Sequence, residues 1–230
     1  HIPAQTVLQN YMLERLLERI SLSRYQDYFI LKGGMLIASM VGISNRTTMD
    51  MDTTLRNFPL SEETIQSVLL EICAIQLDDG VLFSVDHVAP IREDDEYGGF
   101  RAALIAKFES INTPLKIDIT TGDVITPEAI CYSFPSVFEE KQIEVWAYNI
   151  ETILAEKVET ILRRSVLNTR PRDFYDVYIL IKTYGQAIHA DVFQSALSAT
   201  VEKRLSQEAL QNGNAILHTI QEDAVMRSRW

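Results

Sequence analysis

The spacing of apolar residues changes along the chain near residue 147. Up to that point, short apolar runs and alternating stretches are separated by turn residues, and helical spacing is found at residues 6–22 and 61–72. From residue 149 onward, apolar positions recur every three or four residues, which is the period of an amphipathic helix. The pattern therefore predicts an α+β protein, with a mixed α/β domain over residues 1–147 and a helical domain over residues 148–230. Four helices are predicted in the second domain, at about 150–167, 171–184, 189–202 and 205–227.

The first half is predicted to contain several short strands. The apolar run Tyr28–Leu31 ends at Gly33-Gly34, and the helical stretch that follows it would be capped by Gly42. Ser61 is a candidate N-cap for a further helix. The remaining predicted strands are Met49–Leu55, Val81–Pro90, Gly99–Glu109 and Leu115–Thr120, with short edge strands around Tyr132 and Val145.

Composition and charge narrow the class of protein. Apolar residues make up 47% of the 230-residue chain and charged residues 23%, as in ordinary globular proteins. No apolar run approaches the ~18–20 residues that span a bilayer, and the start does not resemble a signal peptide, so we expect a cytoplasmic protein without a membrane partner. The net charge of −11 argues against a surface built for nonspecific nucleic-acid binding.

Because the chain starts at His1 and ends without a capping signal, we expect it to be part of a longer protein, with its helical domain truncated at the C-terminus.

Two carboxylates, Asp50 and Asp52, are placed two residues apart on a predicted strand. Side chains alternate along a strand, so both acids would share one face while Met51 faces the core. Grouped carboxylates repel each other, and Mg²⁺ relieves that repulsion because it prefers hard oxygen ligands. The same spacing also arises from solvated acids on an edge strand, so the pair alone does not decide between these interpretations.

A third carboxylate is predicted on another strand. Leu115, Ile117 and Ile119 would face inward, which leaves Asp118 on the opposite face. If this strand pairs near the Asp50 strand, Asp118 joins the other two acids. Three acids that hold two metal ions form the arrangement that catalyses in-line phosphoryl or nucleotidyl transfer.

Gly33 and Gly34 lie between a predicted strand and the start of a helix. Two glycines allow a phosphate to approach backbone N–H groups closely, and the start of a helix favours an anion. A tight turn without a ligand would need the same residues. The Walker motif G-x-x-x-x-G-K-[ST] does not occur at this position.

Charged residues interrupt the apolar faces of two predicted helices. Lys157 falls within an apolar stripe, and on the next helix Asp173 and Asp176 share a face with Leu180. One interpretation is an ion pair that joins the two helices. The other is that Lys157 binds nucleotide phosphates while the two acids orient it or contact the nucleotide or acceptor. The two interpretations are compatible.

Four arginines surround the connection between these two helices. They form the densest basic cluster in an acidic chain. They are either solvated charges at a helix end or a binding site for a triphosphate or an RNA backbone. Their positions are Arg163, Arg164, Arg170 and Arg172.

Five segments together resemble the AbiEii/AbiGii-type nucleotidyltransferase toxins of the DNA polymerase β-like superfamily. They occur in the order found in that family, from about residue 29 to residue 180. The wider superfamily has Gly-Ser where this chain has Gly33-Gly34. The segments are Phe29–Leu36, Arg46–Asp52, Lys116–Asp123, Leu154–Lys157 and Arg170–Val177.

The resemblance implies a nucleotidyltransferase-like mixed sheet flanked by helices, followed by a helical domain. It implies the toxin of a bacterial type IV toxin–antitoxin or phage abortive-infection pair, whose antitoxin is usually a winged-helix DNA-binding protein encoded alongside. Members are associated with NTP binding, and some add nucleotides to tRNA acceptor ends. By matching motif positions, Asp50 and Asp52 would be metal ligands, and Lys157 with an acid of the segment Arg172–Asp176 would be essential.

The leading hypothesis is transfer of NMP from an NTP to an acceptor hydroxyl, with tRNA as the favoured acceptor and Mg²⁺ or Mn²⁺ as the cofactor. One alternative keeps the chemistry but places a small molecule or a protein hydroxyl as acceptor. A second is a module that binds NTP and transfers nothing. The predicted metal ligands are Asp50, Asp52 and Asp118, and Asp118 is also a candidate general base. The predicted catalytic residues are these three acids together with Lys157 and Asp176. The predicted nucleotide-binding residues are Gly33, Gly34, Lys157, Arg172 and Asp173.

Overall fold

The computed structural model describes residues 2–91 and 98–228. Its strands and helices follow the predicted α+β pattern, and the fold class is confirmed. The strands are β1 (Phe29–Lys32), β2 (Met51–Leu55), β3 (Val81–Pro90), β4 (Gly99–Phe108), β5 (Ile111–Thr121), β6 (Ile130–Pro135) and β7 (Gln142–Ala147). The helices are α1 (Ala4–Leu22), α2 (Gly33–Val41), α3 (Glu62–Cys73), α4 (Ile150–Arg164), α5 (Pro171–Tyr184), α6 (Ala190–Lys203), α7 (Gln207–Gln211), α8 (Gly213–Glu222) and α9 (Ala224–Ser228).

The strands form one mixed seven-stranded sheet with the order β3-β4-β5-β2-β1-β7-β6. Strand β2 pairs antiparallel with β1 and parallel with β5, so it is in the middle of the sheet. Strand β7 runs parallel to β1 and antiparallel to β6. The expectation of two edge strands is therefore wrong for β7, which has neighbours on both sides and buries Ile143, Val145 and Ala147.

One face of the central strands is apolar and the other is polar. Met51 on β2 and Ile117 on β5 are register partners, and both are fully buried. Leu13 and Leu16 of α1 are buried as well, and this helix contacts β5 and β7. Burial of such side chains is worth about 1.5–3 kcal/mol each. Because side chains alternate, this apolar packing fixes Asp52 and Asp118 on the opposite face.

The strand predicted at Met49–Leu55 begins two residues later than expected, so Asp50 precedes the strand. The cause is hydrogen bonding to α1. The side-chain amide of Gln9 donates to the Met49 carbonyl at 2.9 Å, and that of Asn10 donates to the Thr48 carbonyl at 2.9 Å. These carbonyls therefore bond to a helix rather than to a neighbouring strand.

The chain separates into two compact units. The first contains the residues up to Asp123 together with Ile130–Ala147, and the second contains Val124–Ala129 and the chain from Tyr148 onward. The segment Val124–Ala129 thus differs from the predicted division at residue 147. Hydrogen bonds explain the difference, because the Asn149 side-chain amide donates to the carbonyls of Thr126 and Glu128 at 2.9 Å each.

The second unit is helical. Helix α4 buries residues on most of its circumference, and it contacts α5 and α6. The single helix predicted at 205–227 is three short helices, α7 to α9, separated near Asn212 and Asp223. None of the helices in the described residues is long and apolar enough to span a bilayer.

Asn149 is expected to contribute measurably to the stability of the helical unit. Its Oδ1 accepts from the Thr152 N–H at 2.8 Å and caps α4, while its Nδ2 makes the two bonds to Val124–Ala129. We expect Asn149→Ala to lower the free energy of unfolding by about 2 kcal/mol, because a cap and two part-buried hydrogen bonds are lost. Urea unfolding would measure this. Asn212→Ala is the matched control, since Asn212 precedes α8 without making a side-chain cap, and equal effects of the two substitutions would contradict the assignment.

Candidate active site

Four charged residues form a row across the polar face of the sheet, one on each of four adjacent strands. Lys32 on β1 is the register partner of Asp52 on β2, Asp52 is the partner of Asp118 on β5, and Asp118 is the partner of Arg101 on β4. Register partners project from the same face of a sheet. We call these four residues the polar row. The predicted proximity of Asp52 and Asp118 is confirmed by this pairing.

The carboxylate of Asp52 lies directly against Gly33. The Gly33 backbone has φ +67°, and a Cβ built at this position would be 2.0 Å from Asp52 Oδ2. The N–H of Gly34, in the first turn of α2, points to the same oxygen at 3.4 Å. Gly33 is therefore required for two reasons: L side chains rarely adopt its backbone conformation, and Asp52 occupies the space that a side chain would need.

Gly34 is close-packed on its other side. A Cβ at this residue would be 2.8 Å from Thr48 Oγ1 and 3.3 Å from a guanidinium nitrogen of Arg46. Both of those side chains are buried. The space that a serine side chain would occupy in a Gly-Ser sequence is therefore filled by Thr48 and Arg46. The phosphate-binding role predicted for the two glycines stays a prediction, whereas their close contact with acidic and polar side chains is observed.

Asp118 forms a bidentate ion pair. Arg101 Nε donates to Oδ1 and Arg101 Nη2 donates to Oδ2, both at 2.7 Å. Paired forks of this kind are among the strongest side-chain hydrogen bonds. Asp118 is therefore in the expected place beside Asp52, but both of its oxygens already accept from a cation.

Lys32, at the other end of the polar row, is also paired. Its ammonium donates to Asp123 Oδ2 and, at 2.9 Å, to Thr120 Oγ1. Its side chain is 13% exposed and that of Asp123 is 4% exposed. This pair joins the ends of β1 and β5 and is shielded from solvent.

Asp50 precedes β2, and its side chain is exposed. A group of three His, Cys, Asp or Glu side chains arranged to hold a metal ion is not found in the part of the chain that the structure describes. Asp50 and the half-buried Asp52 nevertheless present hard oxygen donors close in sequence, and Mg²⁺ is commonly held by one or two carboxylates that leave positions for water and substrate phosphates. The donor set fits a metal held by these two acids. It does not fit a three-carboxylate cluster while Arg101 holds Asp118.

In the helical unit, Lys157 on α4 lies between two acids on α5. Its Nζ is 2.7 Å from Asp173 Oδ1 and 3.0 Å from Asp176 Oδ2. The lysine side chain is 14% exposed, and the two carboxylates are buried. Arg170 Nε approaches Asp173 Oδ2 at 3.3 Å. The ion pair between the two helices, one of the two interpretations of the sequence, is observed and involves both acids.

The four arginines around the connection between α4 and α5 differ in their surroundings. Arg163 Nε donates to the buried Glu159 at 2.8 Å, and burial, with Arg164 nearby, lowers the pKa of Arg163 from its usual value. Arg170 and Arg172 are exposed, and Arg172 is in the first turn of α5. The structure thus brings Gly33, Gly34, Asp52 and Asp118 together in the first unit and, separately, Lys157, Asp173 and Asp176 in the second.

Two members of the polar row, Arg101 and Lys32, were not among the predicted site residues. A signal for Arg101 is present in the sequence, since it is the single charged residue between Gly99 and Ala106. A signal for Lys32 is its place between the buried run that ends at Leu31 and the two glycines. Neither signal indicates a partner, because Asp118 is 17 residues from Arg101 and Asp123 is 91 residues from Lys32 in sequence.

The fold is that of a nucleotidyltransferase. JHP933 from Helicobacter pylori has a similar structure, with a TM-score of 0.56 and 14% identity over 96% of this chain and 100% of that chain. MenT4, a nucleotidyltransferase toxin from Mycobacterium tuberculosis H37Rv, gives a TM-score of 0.57 and 15% identity over 84% of this chain and 63% of that chain. The antibiotic-resistance factor ANT(2'')-Ia gives 0.51 and 10% identity over 90% of this chain and 99% of that chain. A comparison with curated proteins found no match.

The family model for the nucleotidyl transferase AbiEii toxin of type IV toxin–antitoxin systems matches residues 15–230. The chain belongs to this family of nucleotidyltransferase toxins. Membership implies an NTP substrate and an antitoxin partner, and it confirms the class of enzyme predicted from the five sequence segments.

Proposed function

We propose that this protein transfers NMP from an NTP to an acceptor hydroxyl in a Mg²⁺-dependent reaction, and that the acceptor is tRNA. The observation that carries the proposal is the position of Asp52: its carboxylate contacts the Gly33–Gly34 turn at the start of α2 and is in register with Asp118. A structural core gains nothing from grouped acids on a sheet face, whereas nucleotidyl transfer requires them.

In the proposed reaction, the acceptor oxygen bonds to the α-phosphorus of the NTP. The bond from that phosphorus to the bridging oxygen breaks, pyrophosphate leaves, and the acceptor's proton passes to a base. Asp50 and Asp52 would hold the metal ion, which supplies charge neutralisation of the phosphates when bound. Asp118 is the proposed base and further ligand, and either role requires that it part from Arg101.

The helical unit would supply further contacts. The residues of this unit that are proposed to act on the nucleotide or acceptor are Lys157, Arg172, Asp173 and Asp176. In the first unit, the amides of Gly33 and Gly34 are proposed to bind the nucleotide. Because Lys157 contacts two carboxylates, we expect its ammonium to keep a fixed position, as a phosphate ligand needs.

The proposed biological setting is the cytoplasm, with a winged-helix DNA-binding antitoxin encoded alongside. The support for it is the family's place in type IV toxin–antitoxin systems. A role in abortive infection by phage is part of the same proposal.

The acceptor can be identified by label transfer. The protein would be incubated with Mg²⁺, each NTP labelled at its α-phosphate, and either total tRNA, a protein extract freed of RNA, or a panel of antibiotics, the last because ANT(2'')-Ia is an antibiotic-resistance factor of similar fold. We expect label in tRNA that ribonuclease releases and protease does not. Label confined to protein or antibiotic would overturn the tRNA assignment, and absence of label in every arm would contradict transferase activity on these acceptors.

A further inference from the structure

We infer that Arg101 controls whether the third carboxylate, Asp118, can bind metal. In the protein without substrate its guanidinium is paired with Asp118, and it leaves Asp118 when the triphosphate of the substrate binds. This inference rests on the proposed function and deepens it. It concerns regulation of the same site by a residue that the proposed reaction does not use.

The contact between Arg101 and Asp118 occupies both carboxylate oxygens. One guanidinium nitrogen donates to each oxygen at 2.7 Å, which is the geometry of a parallel fork. The two residues are register partners on antiparallel strands β4 and β5, so the backbone holds them opposite each other. A metal ion that binds Asp118 must displace the guanidinium or bind next to its positive charge.

Exposure makes this pair reversible. The Arg101 side chain is 47% exposed and that of Asp118 is 22% exposed. Water competes for both partners of an ion pair near solvent, so even a well-aligned fork is weaker there than in the interior, and breaking it changes a competing equilibrium by a factor of about five. Lys32, at the other end of the polar row, forms a more buried pair with Asp123, since the two side chains are 13% and 4% exposed. Of these two cations, Arg101 is therefore the one that can change partner at low cost.

A triphosphate offers Arg101 a better partner than Asp118. Arginine binds phosphate oxygens through the same fork that it uses for carboxylates, and a nucleoside triphosphate carries more charge than a single carboxylate. Arg101 lies on the same face of the sheet as Asp52, two strands away. When substrate is present, movement of the guanidinium from Asp118 to the phosphate would leave both oxygens of Asp118 available to a metal ion. Asp118 would therefore become a metal ligand only in the substrate complex.

The test measures metal binding without any acceptor. Mn²⁺ would be titrated against the 230-residue chain, and the bound ion would be counted by electron paramagnetic resonance, for wild type, Arg101→Ala, Asp118→Asn and the double variant. We expect Arg101→Ala to bind Mn²⁺ about fivefold more tightly than wild type. The gain should vanish in the Asp118→Asn background, and it should shrink when a non-hydrolysable NTP analogue is added. Lys107→Ala, which removes another exposed cation from β4, should bind Mn²⁺ as wild type does.

The outcomes separate this inference from the proposed function. Unchanged Mn²⁺ affinity in Arg101→Ala, or an increase that persists with Asp118→Asn, would overturn the control by Arg101. Thermal unfolding of each variant would show that the fold is retained, and Arg101→Lys, which keeps the charge but loses the fork, should fall between wild type and Arg101→Ala. If Asp52→Asn fails to weaken Mn²⁺ binding, the metal site of the proposed function fails, and the inference fails with it.

Discussion

Replacement of Gly33 by alanine should reduce nucleotidyl transfer at least about 100-fold, because an added Cβ would be 2.0 Å from Asp52 Oδ2 and the carboxylate would have to move. A displacement of about 1 Å in a catalytic group is enough for a loss of this size. Initial rates of label transfer would measure it. The backbone at φ +67° adds a stability cost of about 1 kcal/mol, which thermal or urea unfolding would record.

Gly80→Ala is the matched control for this substitution. Gly80 also has φ +67°, but an added Cβ there would meet only the ring of Phe108, at 3.3 Å. Both variants should lose stability through the strained backbone, Gly33→Ala at least as much as Gly80→Ala because of the added clash, and only Gly33→Ala should lose activity. If Gly33→Ala transfers label at the rate of Gly80→Ala, the contact between the glycine turn and Asp52 has no role in the reaction.

Lys157→Met should destabilise the helical unit by about 3–5 kcal/mol. The substitution removes the ammonium that lies between Asp173 and Asp176 and leaves two buried carboxylates beside each other. Urea unfolding followed by circular dichroism would measure the change. Lys203→Met removes an exposed lysine from the end of α6 and should change stability by no more than about 0.5 kcal/mol.

A triple variant separates the structural role of these residues from their proposed functional one. Lys157→Met combined with Asp173→Asn and Asp176→Asn removes all three charges, so no uncompensated charge from this cluster stays buried. We expect the triple variant to regain most of the lost stability and to remain inactive in transfer. A triple variant that is both stable and fully active would show that this cluster only joins α4 to α5, and its predicted catalytic role would be wrong.

Strand and helix positions were largely predictable because burial dictates them. The buried residues Met51, Ile117 and Leu115 alternate with polar ones, so the faces of β2 and β5 followed from the sequence. The start of β2 was not predictable. It depends on Gln9 and Asn10, some forty residues earlier, whose side chains bond to backbone carbonyls of the segment before the strand.

The site was predictable in its residue types and less so in its partners. The place of Asp118 beside Asp52 could be proposed because strand alternation gives the face, but the sequence does not reveal that Arg101 on another strand would hold both of its oxygens. In the same way, the apolar stripe around Lys157 indicated a buried charge, but the contact of Lys157 with both Asp173 and Asp176 is evident only from the three-dimensional structure. Long-range pairing is the common reason, since it depends on strand order and helix packing rather than on local pattern.

Label transfer by Asp52→Asn most directly tests the claim that Asp52 acts in metal-dependent nucleotidyl transfer. Asparagine keeps the size of the side chain and removes its charge. Asp86→Asn, which removes an exposed acid from β3, serves as the control. With Mg²⁺, a labelled NTP and tRNA, wild type and Asp86→Asn should transfer label at equal rates, and Asp52→Asn should be slower by at least about 1000-fold. Transfer by Asp52→Asn at the wild-type rate, or wild-type transfer that persists when a chelator removes the metal, would contradict the claim.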